Sequence, residues 1–254
     1  MAVSGAETDD MDNTLIVVTL GAFAASFVNA AFATGGVYVL LLATLSVLPA
    51  SAAIPLQSPL SAGSLAARIG LFWKDIQWRI VGTFLFGCLF GVYFGAQAFV
   101  AASDALLQML LGVLLMALIW LPKPGNAGRI KHPFIYVGMV HSFVGTMFGV
   151  GGILQSFIIR TELKKMQITG TLAACMLSLD VLKMTSYVSV GVRYQDYIPH
   201  IILATFAGFA GAWIGKRVTV HVSETAFRVV FRWLVTFAAL RLVYKGAMAM
   251  WWTA

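Results

Sequence analysis

Two apolar stretches of the chain are each interrupted by a glycine pair. FATGGVYVLLL holds Gly35 and Gly36, and FGVGGILQSFI holds Gly151 and Gly152. A break of this kind starts a new helix inside an apolar run. The first N–H groups of a helix lack partners within it and carry the positive end of its dipole, so they favour an anion. Polar side chains that can add hydrogen bonds stand nearby. Asn29 precedes the first pair and Gln155 follows the second. IPLQSPLSAGS sets Gln57 and Ser58 between Pro55 and Pro59, and ITGTLAAC sets Gly170 and Thr171 at the matching place. Proline and glycine weaken a helix, which leaves amides and hydroxyls free for a ligand. The competing reading is packing: small residues let helices approach, and hydroxyls bond back to their own helix.

Charge offers a second kind of chemistry. Asp180 and Lys183 lie deep in the apolar segment MLSLDVLKMTSYV, three residues apart and so on one helix face. A charge at membrane depth is costly and points to function. Lys183 can serve as counter-charge to an anion, with Asp180 as a coupling-proton candidate. His141, in the first arm of the second broken stretch, is the other coupling candidate, since imidazole changes charge near neutral pH. A self-neutralising Asp–Lys pair that holds helices together is the alternative.

The elements that position these residues must be membrane helices. Of the 254 residues 60% are hydrophobic and 11% charged, against roughly 25% charged in a soluble domain. The mean hydropathy is +0.88. The net charge of +7 comes from basic residues scattered over short loops, as membrane topology requires, and does not indicate nucleic acid. Cys88 and Cys175 lie in apolar segments and read as buried thiols. No histidine spacing suggests a metal site, and no GxSxG, P-loop or paired CxxC suggests an enzyme. No cofactor is expected.

Eight apolar segments follow one another: Leu15–Leu48, Ile54–Phe72, Ile76–Val100, Ala105–Leu121, Ile135–Ile159, Ile168–Val190, Ile198–Lys216 and Ala226–Val243. Residues 1–13 read as an acidic tail, 122–133 as a cytoplasmic linker and 246–254 as a C-terminal tail. That leaves two transmembrane repeats, 14–121 and 134–245. The halves match in order. Gly35-Gly36 and Gly151-Gly152, Phe32 and Phe148, and Ser26 and Ser142 share an offset of 116 residues. Gly91-xxx-Gly95 and Gly211-xxx-Gly215 share an offset of 120, and Ser103-Asp104 then pairs with Ser223-Glu224 as helix N-caps. Placing the basic loops inside makes matching segments cross in opposite directions. The expected fold is therefore an all-α integral membrane protein of two inverted-topology repeats, with 8–10 hydrophobic helices. In each repeat a broken or re-entrant hairpin precedes three transmembrane helices. A single helix over Leu15–Leu48 would span about 51 Å against roughly 30 Å of hydrocarbon, so each broken stretch folds back at its glycines. Inverted repeats with helices broken at matching points are the usual build of a secondary transporter.

These motifs together resemble the TauE/SafE family of sulfite exporters over about residues 14–245. The resemblance rests on the glycine-broken first segment of each half, the ITGT-like start of the next helix, the basic–aromatic turns KDIQWR and RYQDYIPH, the glycine-repeat helices and the Ser-Asp or Ser-Glu opening of the last helix. The family's glycine-rich breaks fall on Gly35, Gly36, Gly151 and Gly152, and its Gly-Thr run on Gly170 and Thr171. The first half departs from the pattern, with Gln57-Ser58 where the family shows a Gly-Thr-Ser-like run. The resemblance implies transport of a small sulfur anion, sulfite or an organosulfonate. Export by alternating access is expected, from a site between the two broken hairpins, in a multi-pass protein of the bacterial inner membrane. The expected partners are the anion and the lipid bilayer, with a homodimer left open. Uptake of another small anion, or a non-transport scaffold or receptor, are the competing functions.

Overall fold

Each glycine break does stop a helix. In the computed structural model, which describes residues 3–32, 35–120, 133–158, 161–218 and 224–253, α1 (Val3–Phe32) gives way to α2 (Gly36–Val47) at the first break. At the second, α6 (Pro133–Phe148) gives way to α7 (Ile153–Ile158). Between and after them run α3 (Ala50–Phe72), α4 (Trp78–Ala101), α5 (Asp104–Trp120), α8 (Lys165–Ser189), α9 (Ile198–Val218) and α10 (Glu224–Thr253). Short 3-10 turns at Trp73–Asp75 and Tyr194–Tyr197 lead into α4 and α9. The described residues hold no strand. The apolar composition explains this, because a helix satisfies all its backbone groups internally.

Several expected boundaries move. α1 begins at Val3 and α10 runs on to Thr253, so the acidic start and the C-terminal residues are both helical. Residues 121–132 of the expected linker lie outside the described residues, as does Ser223, and Pro133 opens α6. Proline suits a first helical position, where its missing N–H would have no partner. The cap expected at Ser103 is present: its Oγ accepts from the Leu106 amide at 3.3 Å.

Five helices among the described residues are long and apolar enough to cross a membrane: Asp12–Ala30, Trp78–Ala101, Met166–Ser189, Tyr194–Gly215 and Arg232–Trp251. α3 has 23 residues, about 34 Å of helix, but its glutamine and serines dilute its hydropathy. α2, with 12 residues, spans about 18 Å, and α7, with 6 residues, about 9 Å; neither crosses roughly 30 Å of hydrocarbon. The second arm of each broken hairpin is thus a half-helix.

The chain forms two compact units that do not follow its two halves. One comprises Met1–Ser64 and Arg193–Trp233, the other Leu65–Val192 and Leu234–Ala254. In the first unit α1 packs on α2 and on α9. Its core holds Val18, Ala22, Ala25, Leu40, Leu56, Leu60 and Ala204. In the second unit α4 packs on α6 and on α8, around Phe84, Cys88, Val137, Leu154, Cys175 and Leu179. The first arm of each hairpin therefore lies against the glycine-repeat helix of the other half of the sequence.

Glycine explains how closely these helices meet. A Cβ at Gly91 would overlap the Met139 carbonyl, and one at Gly95 would lie 3.0 Å from the Phe143 carbonyl oxygen. In the other unit a Cβ at Gly211 would overlap the Phe23 carbonyl, and one at Gly215 would lie 2.6 Å from the Phe27 carbonyl oxygen. Both series ascend together, so α4 runs parallel to α6, and α9 parallel to α1. The turns before the glycine helices are also tied down. The Gln77 amide donates to Thr171 Oγ1 at 3.0 Å in the second unit. Tyr194 Oη donates to the Pro55 carbonyl at 3.4 Å in the first. That carbonyl lacks its helical donor because residue 59 is proline.

Candidate functional site at the two helix breaks

The first break is made by Gly35, whose φ of 99° is left-handed backbone that glycine adopts without strain. It stands at the N-cap of α2, and its carbonyl accepts from the Tyr38 and Val39 amides. Gly36 packs so tightly on α1 that a Cβ would overlap the Ala25 carbonyl and the Asn29 side chain. The Gly36 amide donates to Asn29 Oδ1 at 3.0 Å. One N–H that the sequence offers to an anion is therefore held by Asn29, which acts as a cap supplied from the neighbouring helix.

Beside α2, Gln57 and Ser58 are buried on α3. Gln57 Nε2 donates to Thr44 Oγ1 at 3.0 Å and to the Ala53 carbonyl at 3.3 Å. Thr44 is fully buried, and its hydroxyl bonds back to the Leu41 carbonyl at 2.9 Å or the Leu40 carbonyl at 3.1 Å. Gln57 Oε1 is buried with no hydrogen-bond partner.

The second break is built differently. Its left-handed residue is Gly149, with φ 73°, and the Gly149 amide closes α6 on the Gly145 carbonyl at 3.0 Å. This is a C-terminal glycine cap, two residues ahead of the pair that the sequence singles out. Gly151 serves close approach instead: a Cβ there would lie 2.6 Å from Cε1 of the His141 ring. His141 Nδ1 accepts from the Leu154 amide at 3.4 Å, at the start of α7. With Nδ1 as acceptor, a neutral ring carries its proton on Nε2. Both breaks thus share one device, in which a polar side chain on the first arm accepts from an amide of the second.

Charge enters only at the second break. Lys183 and Asp180 on α8 form an ion pair at 3.6 Å, with side chains 5% and 13% exposed. Lys183 is close enough to His141 for their charges to interact. One turn further along α8, Tyr187 is fully buried. It stacks edge-on against Phe99 at 5.2 Å, and its hydroxyl donates to the Thr146 carbonyl. Thr146 Oγ1 is buried without a partner, just before the break. Gln155 is half-buried on α7. Gly170 packs against Phe72, where a Cβ would lie 2.9 Å from the phenylalanine Cβ. Thr171 is buried and holds the start of α4.

The residues singled out in the sequence divide between the units. Asn29, Gly35, Gly36, Gln57 and Ser58 belong to the first; His141, Gly151, Gly152, Gln155, Gly170, Thr171, Asp180 and Lys183 belong to the second. Sequence reasoning passed over Gly149, Thr44, Thr146 and Tyr187. Only Gly149 carried a signal, as the first of three glycines in FGVGG. A match to the sulfite exporter TauE/SafE family covers residues 18–242. The chain belongs to that family. No curated protein and no solved structure matches it. TauE/SafE proteins are membrane transporters rather than enzymes. Family and helices agree here on a multi-pass membrane protein that handles a small anion within the bilayer.

Proposed function

We propose that this TauE/SafE protein exports sulfite or a small organosulfonate, and that the anion is recognised at the second break. The observation that carries this reading is Lys183, an ammonium buried on a membrane-spanning helix and paired with Asp180 at 3.6 Å. A charge there is costly to keep without a use. The unpartnered Thr146 hydroxyl in the same unit can donate to an oxyanion.

We read the two halves as inverted repeats. Three pairs of contacts support it. Gly91 with Met139 maps onto Gly211 with Phe23 by shifts of 120 and 116 residues, and Gly95 with Phe143 maps onto Gly215 with Phe27 by the same shifts. The third pair is alike in place but not in offset: Thr171 with Gln77 and Pro55 with Tyr194 differ by 116 and 117 residues. The parallel run of α4 with α6 and of α9 with α1 favours inversion. If each hairpin returns to the face it left, α4 crosses opposite to α1. Repeats of equal orientation would then make both pairs antiparallel. In this reading one repeat rocks against the other to give alternating access. An inside-negative potential assists departure of an anion by about 2.3 kcal/mol per charge per 100 mV.

The test is sulfite efflux from loaded proteoliposomes. Efflux above protein-free vesicles, accelerated by an inside-negative potential and slowed by competing organosulfonate more than by acetate or phosphate, is the expected result. Efflux equal to protein-free vesicles overturns the reading. Preference for acetate or phosphate replaces the substrate but keeps the transporter.

A further inference from the structure

The end of α2 farther from the first break carries a group that no anion satisfies. Gln57 is 3% exposed, and its amide orientation is fixed by its neighbours. Ala53 presents a carbonyl at 3.3 Å, which can only accept. Thr44 has committed its single proton to the Leu41 or Leu40 carbonyl, so toward Gln57 it too can only accept. Both N–H bonds of the amide are therefore spent. Turning the amide over would set Oε1 against two acceptors. What remains is Oε1, a buried carbonyl oxygen with no hydrogen-bond partner. Leaving such a group unmatched costs about 1–3 kcal/mol. It would repel sulfite and attract positive charge.

The surroundings add to that preference. Thr44 lies in the last turn of α2, a half-helix whose cap residue is Leu48. The carbonyl end of a helix carries partial negative charge. Ser58 is buried next to Gln57 on α3. Pro55 and Pro59 remove two amides from α3, which weakens the claim of its own backbone on nearby carbonyls. Oxygen ligands beside a half-helix C-terminus are the arrangement in which secondary transporters hold a coupling cation. Neither α2 nor α3 contains an acidic residue. Calcium and magnesium draw on carboxylates, and zinc needs nitrogen or sulfur ligands. Neutral oxygens alone suit a singly charged alkali cation.

We infer that the C-terminal end of α2, where it meets α3, holds a monovalent alkali-metal cation, with Gln57 Oε1 as the ligand that defines the site. The Thr44 hydroxyl oxygen, on the facing element, can add a further neutral oxygen. The two half-helices then serve opposite charges: a cation at the C-terminal end of α2, an anion at the second break. This site stands whether or not sulfite is the substrate, so it is tested by binding rather than by flux.

Purified full-length protein is melted in sodium chloride and in choline chloride of equal concentration, with lithium and potassium chloride in parallel. An alkali cation at about ten times its Kd should raise Tm by about 3 °C or more over choline. The response should vanish in Gln57→Leu. In Gln57→Glu a carboxylate replaces the carbonyl, and half-maximal stabilisation should move to at least about tenfold lower sodium. Equal melting in sodium, lithium, potassium and choline overturns the proposal, and Oε1 is then met by water alone. An undiminished sodium response in Gln57→Leu also overturns it. If the leucine variant does not fold, the glutamate variant decides, and an unchanged sodium midpoint refutes the site.

Discussion

The two breaks stand at matching places in sequence and do the same thing by different means. At the first, the left-handed glycine opens the second arm, as N-cap of α2. At the second, it closes the first arm, as the cap of α6 on Gly145. Asn29 caps one second arm and His141 the other, and these do not occupy matching positions. Beside α2 in the first unit the buried polar groups are neutral: Thr44, Gln57 and Ser58. Around the second stand Lys183, Asp180 and His141. The difference teaches that the two units share a packing frame, the glycine helices on the hairpin arms, more closely than they share the chemistry inside it. A frame held by backbone-to-backbone approach tolerates little change, because any side chain at Gly91 or Gly211 would overlap a carbonyl. The polar lining has no such constraint, and the two breaks were free to diverge in charge.

The sharpest way to break that comparison is to remove the charge. Lys183→Met leaves Asp180 buried beside no ammonium, a loss of about 3–5 kcal/mol for a buried pair. The double variant Asp180→Asn with Lys183→Met removes both charges and should regain most of the folded protein. If the pair is only an inter-helix tie, the double variant recovers sulfite efflux together with stability. If Lys183 meets the anion, Tm recovers and efflux stays at background. Thermal melting and vesicle efflux on the same preparations separate the two.

Next in size is a contrast between glycines. Gly36→Ala sets a methyl group against the Ala25 carbonyl, which is backbone and cannot turn aside. Overpacking of this kind costs about 1–3 kcal/mol, and this position should fall at the upper end. Gly151→Ala meets the His141 ring, a side chain that can shift. Its stability loss should be smaller, while its effect on efflux should be greater, because the shifted ring no longer accepts from Leu154. Equal stability losses at both positions would mean that the second break is as rigid as the first.

A third contrast concerns the left-handed residues. Gly149→Ala should cost about 1–2 kcal/mol from the strained backbone. Gly152 has no left-handed φ, so Gly152→Ala lacks that penalty. The sequence reading of the second break, centred on its glycine pair, ranks these two the other way. A melting comparison of the two variants therefore decides between pair and cap.

Much of this frame was legible in the residues. Glycine pairs in apolar runs announce a break because glycine and apolar helix are in plain conflict, and Ser103 announces its cap because the side chain acts on its own next turn. The constant offsets of 116 and 120 residues link glycines that turn out to play like packing roles. Other features depend on groups far apart in sequence. That α4 lies on α6 and α9 on α1 follows from which carbonyl each glycine meets, and the pattern alone does not name the partner. Thr44 reads as one hydroxyl in an apolar helix until Gln57, thirteen residues away, is seen donating to it. Gln57 reads as an anion ligand until both its N–H groups are found spent. Gly149 was hidden by its neighbours: three glycines stand in FGVGG, and composition does not say which takes the positive φ.

The smallest effect tests whether the caps are interchangeable. Asn29 Oδ1 accepts from the Gly36 amide, the donor that begins α2. Asn29→Ala removes the acceptor at the positive end of a helix and should cost about 1 kcal/mol, the usual value of a lost N-terminal cap. Asn29→Asp keeps the acceptor and adds negative charge at that end, so melting should be at or above the wild type. If the N–H groups of the first break instead receive the transported anion, the outcome for flux reverses. Alanine would then leave efflux intact with one more free amide, and aspartate would repel the substrate and suppress efflux. With the anion at the second break, the Asn29 substitutions act on melting and leave efflux near wild type. Melting curves and sulfite efflux of the two variants therefore assign the anion to one break or the other without touching Lys183.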